Sequence, residues 1–277
     1  MRAGTVCDRE PSAKDAIMGG RAQGASPMPT IPFFKHATPR EIIITRLCCG
    51  ADVVVILCCA GYLVGTYPAA GLRWPWLIAA LLAGYFLADL FSGLVHWVVD
   101  TWLDEGMLGR GIAITREHHT HPGHVLFYDF LDQASLGAAP SAVVVGIAAA
   151  VTASFPVSTF TYALMIVWFV IAICMLFGMS FHNLAHWSHR PPLLRIAQRL
   201  HLVCSPEHHW RHHHDHTIRY CVINGWANYP CDRLRIWSRL ERLVTAVTGR
   251  APRADDAEWQ RRLNDAGGLV GAPWPIG

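Results

Sequence analysis

Charge is what this sequence has least of. Asp, Glu, Lys and Arg make up 16% of its 277 residues, against 52% hydrophobic residues. Soluble domains carry about 25% charged side chains, so the balance points to a chain that meets lipid more than water. The formal charge of +3 is too small to mark a nucleic-acid binder, and no nucleic-acid partner is expected. There is no CxxC among the nine cysteines. Cys48, Cys49, Cys58, Cys59 and Cys174 lie in apolar stretches and are expected to be buried, reduced thiols acting as small hydrophobes. Nitrogen and carboxylate groups, not thiolates, are then the metal ligands on offer. A cleavable signal peptide is also missing. The first 30 residues hold Arg2, Arg9, Lys14 and Arg21 with Gly, Ser and Pro, and no continuous apolar core. Residues 1–45 read as a flexible tail, with a transit peptide as the weaker alternative.

Long apolar runs are plentiful. Leu47–Tyr67 is interrupted only by Asp52, Trp74–Val99 contains Asp89 and His96, Ala134–Ser154 is rich in Ala and Val, and Ser158–Phe181 has no charge. Each is long enough for a helix across a hydrocarbon core of roughly 30 Å. The expected fold is an all-α integral membrane protein, with four transmembrane helices under a His-rich helical cap. Residues 46–256 form the membrane domain and 257–277 a C-terminal tail. Seven Lys and Arg precede the first run, two lie in residues 100–133, thirteen follow residue 181, and one, Arg73, sits in the turns on the other side. The positive-inside bias places both termini and the cap in the cytoplasm. A soluble bundle with unusually apolar helices is the alternative. From about Pro230, Leu234, Trp237, Leu240 and Val244 recur at helical spacing among arginines, and predict an amphipathic helix against the membrane or the cap.

Histidine is what the sequence has in excess. Fifteen of sixteen lie between His96 and His216. Such a crowd repels itself once protonated, whereas neutral imidazoles converging on a transition metal do not. In SPEHHWRHHHDH, a helix at ~100° per residue gathers His208, His209, His212 and His213 into a ~140° arc. It places His216 in the middle of that arc and turns His214 away. His182, His186 and His189 share one face at the end of the fourth run. Asp89, His96 and Asp100 align along the second run, where an ionisable residue is a functional candidate by default. Asp89 reads equally as a helix-packing group, and Asp100 as a ligand or as the partner fixing the His96 tautomer. His118 and His119 diverge by ~100° on a helix, so both serve one centre only from between their directions, unless there are two metals. His121 reads as a loop residue, and His36 and His124 as structural. Eight or more imidazoles exceed the need of one ion and suit two metals with open positions, a pattern that fits iron activating O₂. At a membrane face the natural substrate is a lipid chain. A histidine-rich metal transporter is the non-enzymatic alternative. The third and fourth runs carry no His or acid before residue 182, however, where a transporter would place ligands near the midplane.

The motifs GLVHWVVDTW, REHH with a following Pro, HWSH, EHHWRHH, YCVINGWANYP and TGRAPRADD resemble the plasmanylethanolamine desaturase family, the Kua-type lipid desaturases, over about residues 85 to 256. The resemblance implies a four-helix membrane protein with a di-iron centre that uses O₂. It also implies the reaction, a double bond placed beside the ether oxygen of an alkyl phospholipid to give the vinyl ether of a plasmalogen. Acyl-lipid desaturation or hydroxylation is the related alternative. Cytochrome b5 or a ferredoxin-like protein is the implied electron donor. The implied ligands are His96, His118, His119, His189, His208, His209, His212 and His213, with His201 and His216 at matching positions. The family's histidine four residues before His189 is replaced by Ala185, so His182 or His186 takes its place. The further His that often follows REHH in the family is Tyr128 here.

Overall fold

The computed structural model describes residues 37–104, 110–120, 122–187 and 189–254. The expectations for His36, His121, the first 36 residues and the tail from residue 255 lie outside these described residues. Every element among the described residues is helical.

Four helices are long and apolar enough to cross a membrane: α1 (Pro39–Ala70), α2 (Trp74–Trp102), α4 (Phe130–Ala153) and α5 (Thr159–Leu176). Local chemistry sets their ends. The Thr38 hydroxyl accepts from the Glu41 N–H while the Glu41 carboxylate accepts from the Thr38 N–H, a reciprocal cap with Pro39 in the first turn. Gly71 closes α1 in the left-handed conformation at φ 59°. Ser158 and Thr161 form the same reciprocal cap on α5. Helix α1 packs on α4 and α5, and α2 packs on α5. Their outer faces expose Val143, Val144, Ile147 and Val151, the surface a bilayer covers. Cys58 is also exposed on such a face, a departure from the expected burial, because its neighbour Cys59 takes the inward position.

The remaining elements form a cap: α3 (Arg110–Thr120), a 3₁₀ turn (Pro122–Phe127), α6 (Gly178–His186), α7 (Pro192–Arg199), α8 (Pro206–His214), α9 (Asn228–Arg233) and α10 (Ile236–Thr248). Two expected continuous helices are broken. The fourth run stops at Leu176, and Phe177 (φ −98°, ψ 4°) turns the chain before α6 begins at Gly178. The C-terminal amphipathic stretch is split at Arg235, which is left-handed (φ 50°). Leu234 is consequently exposed, while Trp237 is buried with Leu240 and Val244 packed beside it. Arg253 ties the end of the described chain to α2. Its N–H donates to the Thr101 carbonyl at 2.9 Å, and its guanidinium to the Leu103 carbonyl at 3.3 Å.

Candidate metal centre

Four helices aim side chains into one space beneath the cap. The end of α2 supplies His96 and Asp100, α3 supplies His118 and His119, α6 supplies His182 and His186, and α8 supplies His209, His212 and His213. Ser205 caps α8 by accepting from the His208 N–H, and Pro206 starts it, which fixes the phase of its histidines. The nine residues fall into two adjoining groups. One holds His118, His182, His186, His209 and His213; the other holds His96, Asp100, His119 and His212. Within each group one ligand atom per residue lies within 4.8 Å of every other.

Two of the nitrogen spacings within the first group match ligands on one metal, and a third is closer. His186 Nε2 lies 3.0 Å from His182 Nε2, His213 Nε2 lies 3.0 Å from His209 Nε2, and His182 Nε2 lies 2.6 Å from His209 Nε2. Two ligands held at ~2.1 Å with ~95° between them sit ~3.1 Å apart. Both ring nitrogens of His118 are buried with no hydrogen-bond partner among the described residues. Burial pushes His118, His119, His182, His209 and His213 well below the usual histidine range, and His186 to about 3. Neighbouring imidazoles push the same way. The rings are therefore neutral at physiological pH, as metal ligands must be.

The second group is oriented from behind. His96 Nδ1 donates to the Tyr220 carbonyl at 2.9 Å, and His212 Nδ1 donates to the Ile218 carbonyl at 2.7 Å. With Nδ1 protonated, a neutral ring turns the Nε2 lone pair inward. Both Nε2 atoms then face Asp100, whose Oδ2 is 3.1 Å from His96 Nε2, 3.5 Å from His212 Nε2 and 3.6 Å from His119 Nε2. A buried carboxylate needs a positive charge beside it. A metal ion held by His96, Asp100, His119 and His212 would supply that charge, and these residues fit one.

Two carbonyls in this arrangement come from a loop that α2 itself anchors. Asp89 is fully buried, and its Oδ1 accepts from the N–H groups of Ile223, Asn224 and Gly225 at 3.0–3.1 Å. Its Oδ2 accepts from the Ala227 N–H at 2.9 Å. Asn228 closes the loop by accepting from the Cys221 N–H and donating to the Cys221 carbonyl. The approach needs Gly93, since a Cβ there would lie 2.4 Å from Cys221 Sγ. Asp89 is thus the packing group of its two readings. Asn228 and the Ile218 and Tyr220 carbonyls carry no signal in the sequence beyond the deep acid they depend on.

Not every expected ligand reaches the groups. His189 is exposed, because α6 ends at His186 and the chain turns away. The ring of His208 lies at the edge of the helical arc and faces the loop, with Asn228 Nδ2 2.8 Å from its Nε2 and Arg219 at 3.3 Å. Gly225 (φ 82°) lies against it, and burial, then Arg219, lowers its pKa to about 3. His216 follows the end of α8 yet stacks on His119 at 4.6 Å, outside either group. His214 is exposed and stacks on Trp210, and His201 is exposed in a left-handed turn. His182 and His186, offered as alternatives for the place lost at Ala185, are both in the first group.

An apolar cavity of about 50 Å³ borders His96 of one group and His118 and His182 of the other. It shares Val95, Val99 and Leu136 with a larger cavity of about 780 Å³ between α1, α2, α3 and α4.

Residues 85–255 match a family described as a lipid desaturase domain. Over 204 residues the chain is 32% identical to plasmanylethanolamine desaturase 1 of Mus musculus, covering 69% of this chain and 74% of that protein. It is 35% identical to a plasmanylethanolamine desaturase of Myxococcus xanthus over 206 residues, 71% of each. Over 188 residues it is 30% identical to the chloroplastic fatty acid desaturase 4-like 2 of Arabidopsis thaliana, covering 65% of this chain and 64% of that protein. No solved structure matches the chain.

Proposed function

Because this chain belongs to the lipid desaturase family, we propose that it is a membrane oxidoreductase that places a double bond in a phospholipid chain, beside the ether oxygen of a plasmanyl lipid. The observation that carries the reading is the pair of buried ligand groups meeting at one apolar cavity. His118, His182, His186, His209 and His213 would hold one iron, and His96, Asp100, His119 and His212 the other, with His216 beside the second. Bound iron would supply activation of O₂ and removal of two hydrogens from adjacent carbons.

The chain's own contribution is orientation, charge and exclusion of water. The Tyr220 and Ile218 carbonyls hold His96 and His212 in the tautomer that points Nε2 inward. Asp100 brings the one carboxylate among nine candidate ligands, offsetting cationic charge in a buried space. Val95, Val99 and Leu136 keep the approach dry and hold a hydrocarbon chain against the centre. We place this centre on the cytoplasmic side from the distribution of Lys and Arg, where cytochrome b5 or a ferredoxin-like protein would deliver electrons.

A second reading, acyl-chain desaturation, is favoured by the similarity to the Arabidopsis fatty acid desaturase. Expression in a host that makes alkyl ether phospholipids but no plasmalogens separates the two. The expected product is an acid-labile vinyl ether two mass units below its substrate. A new double bond confined to ester-linked chains establishes the second reading, and unchanged lipids under iron-replete aerobic growth overturn both.

A further inference from the structure

The larger cavity joins the start of α1 to the end of α2. Its walls include Thr38, Arg40, Ile44 and Cys48 on one side and Leu94 and Leu103 on the other. Those two helix ends therefore lie at the same membrane face, and that face carries both ligand groups. The cavity is mostly apolar and has the size of pockets that enclose flexible ligands. Its one cationic side chain is Arg40, in the first turn of α1, and the carboxylates of Glu41 and Asp132 line the same cavity. Arg40 is exposed and has no ion-pair partner among the described residues, whereas the neighbouring Glu41 carboxylate is taken up by Thr38. Val95, Val99 and Leu136 line both this cavity and the smaller one, which His96, His118 and His182 also border.

Resting on the reading as a lipid desaturase, we propose that this cavity is the lateral access groove of the phospholipid substrate. Arg40 holds the lipid phosphate, and the throat of Val95, Val99 and Leu136 admits the first carbons of the sn-1 chain to the two ligand groups.

Binding and chemistry are tested separately on the full chain in phospholipid nanodiscs. The binding probe is an ether phosphatidylethanolamine carrying a diazirine near the start of its sn-1 chain. On irradiation it is expected to label peptides containing Val95, Val99 or Leu136, and Arg40→Gln should lower that labelling about tenfold, the range of a lost charge-assisted contact. The matching alkyl-acyl-glycerol probe, which lacks phosphate, should label wild type and Arg40→Gln equally. Labelling confined to outward residues such as Val144 and Ile147, or unaffected by Arg40→Gln, overturns the groove. This readout needs no turnover, so it stands even if the desaturase reading fails.

The chemistry arm measures product and iron together. Arg40→Gln should raise KM about tenfold with kcat nearly unchanged. Leu136→Trp should abolish turnover while iron content stays at the wild-type level. If Leu136→Trp does not fold, the single added methylene of Val99→Leu replaces it, with an expected several-fold fall in kcat/KM. Variants that keep wild-type kinetics at normal iron content overturn the proposal, whereas a wild type inactive on every lipid overturns the desaturase reading instead.

Discussion

His118 and His119 are consecutive residues of one helix, their ring centroids 4.3 Å apart, yet each joins a different ligand group. The ~100° step between neighbours on a helix, which bars both from a single small site, is what lets α3 serve two. The wild-type protein, expressed with iron, should therefore contain about two irons per chain. His119→Ala should retain about one, and so should His118→Ala, by elemental analysis of purified protein. One zinc and no iron in the wild type would sink the two-iron reading.

Helix phase also separates the histidines of α8. His209→Ala, His212→Ala and His213→Ala should each abolish activity, while His214→Ala and the exposed His189→Ala should retain most of it. His208→Gln should keep both irons, because His208 faces Asn228 and Arg219. It should instead cost about 1–3 kcal/mol for a disturbed buried hydrogen bond. Thermal unfolding and iron content, measured side by side, decide the matter. Loss of one iron at an unchanged melting temperature would make His208 a ligand.

Asp89→Asn replaces a carboxylate that accepts from four backbone N–H groups with an amide that has only one accepting atom. The expected cost is roughly 3–5 kcal/mol, as for a broken buried charged network. Iron should be lost mainly from the group containing His96 and His212, whose supporting carbonyls sit beside this loop. Normal stability and iron content in Asp89→Asn would remove the loop from the account of the site.

Acid should destabilise the iron-free protein. Buried His186 titrates near 3, and His118, His182, His209 and His213 are likewise held well below the usual value. In the unfolded chain the same groups titrate near 6.5. The unfolded state thus binds more protons in this window, so stability is full above about pH 6.5 and falls steadily as pH drops toward 3. The melting temperature of iron-free protein should decline from pH 7 to pH 4, and bound iron should raise it at pH 7. A flat profile over that range would mean that the imidazoles are not buried together without metal.

The sequence by itself determined the four membrane helices, because length and apolar composition suffice to specify a span. It placed most of the α8 histidines on one face with His214 turned away, and made His118 and His119 diverge, because helical phase is a local property. It also carried the family, through motifs spread over the matched residues. What the tertiary structure decided is which histidines meet. His189 and His208 have the right residue type and nearly the right phase. One is carried outward where α6 ends, and the other is held by Asn228 and Arg219 on a loop distant in sequence. The break at Phe177, the anchoring of that loop by Asp89 and the backbone carbonyls behind His96 and His212 are likewise products of packing between segments. A convergent site is defined by the relative placement of helices to within an ångström, and sequence periodicity fixes only the face each helix presents.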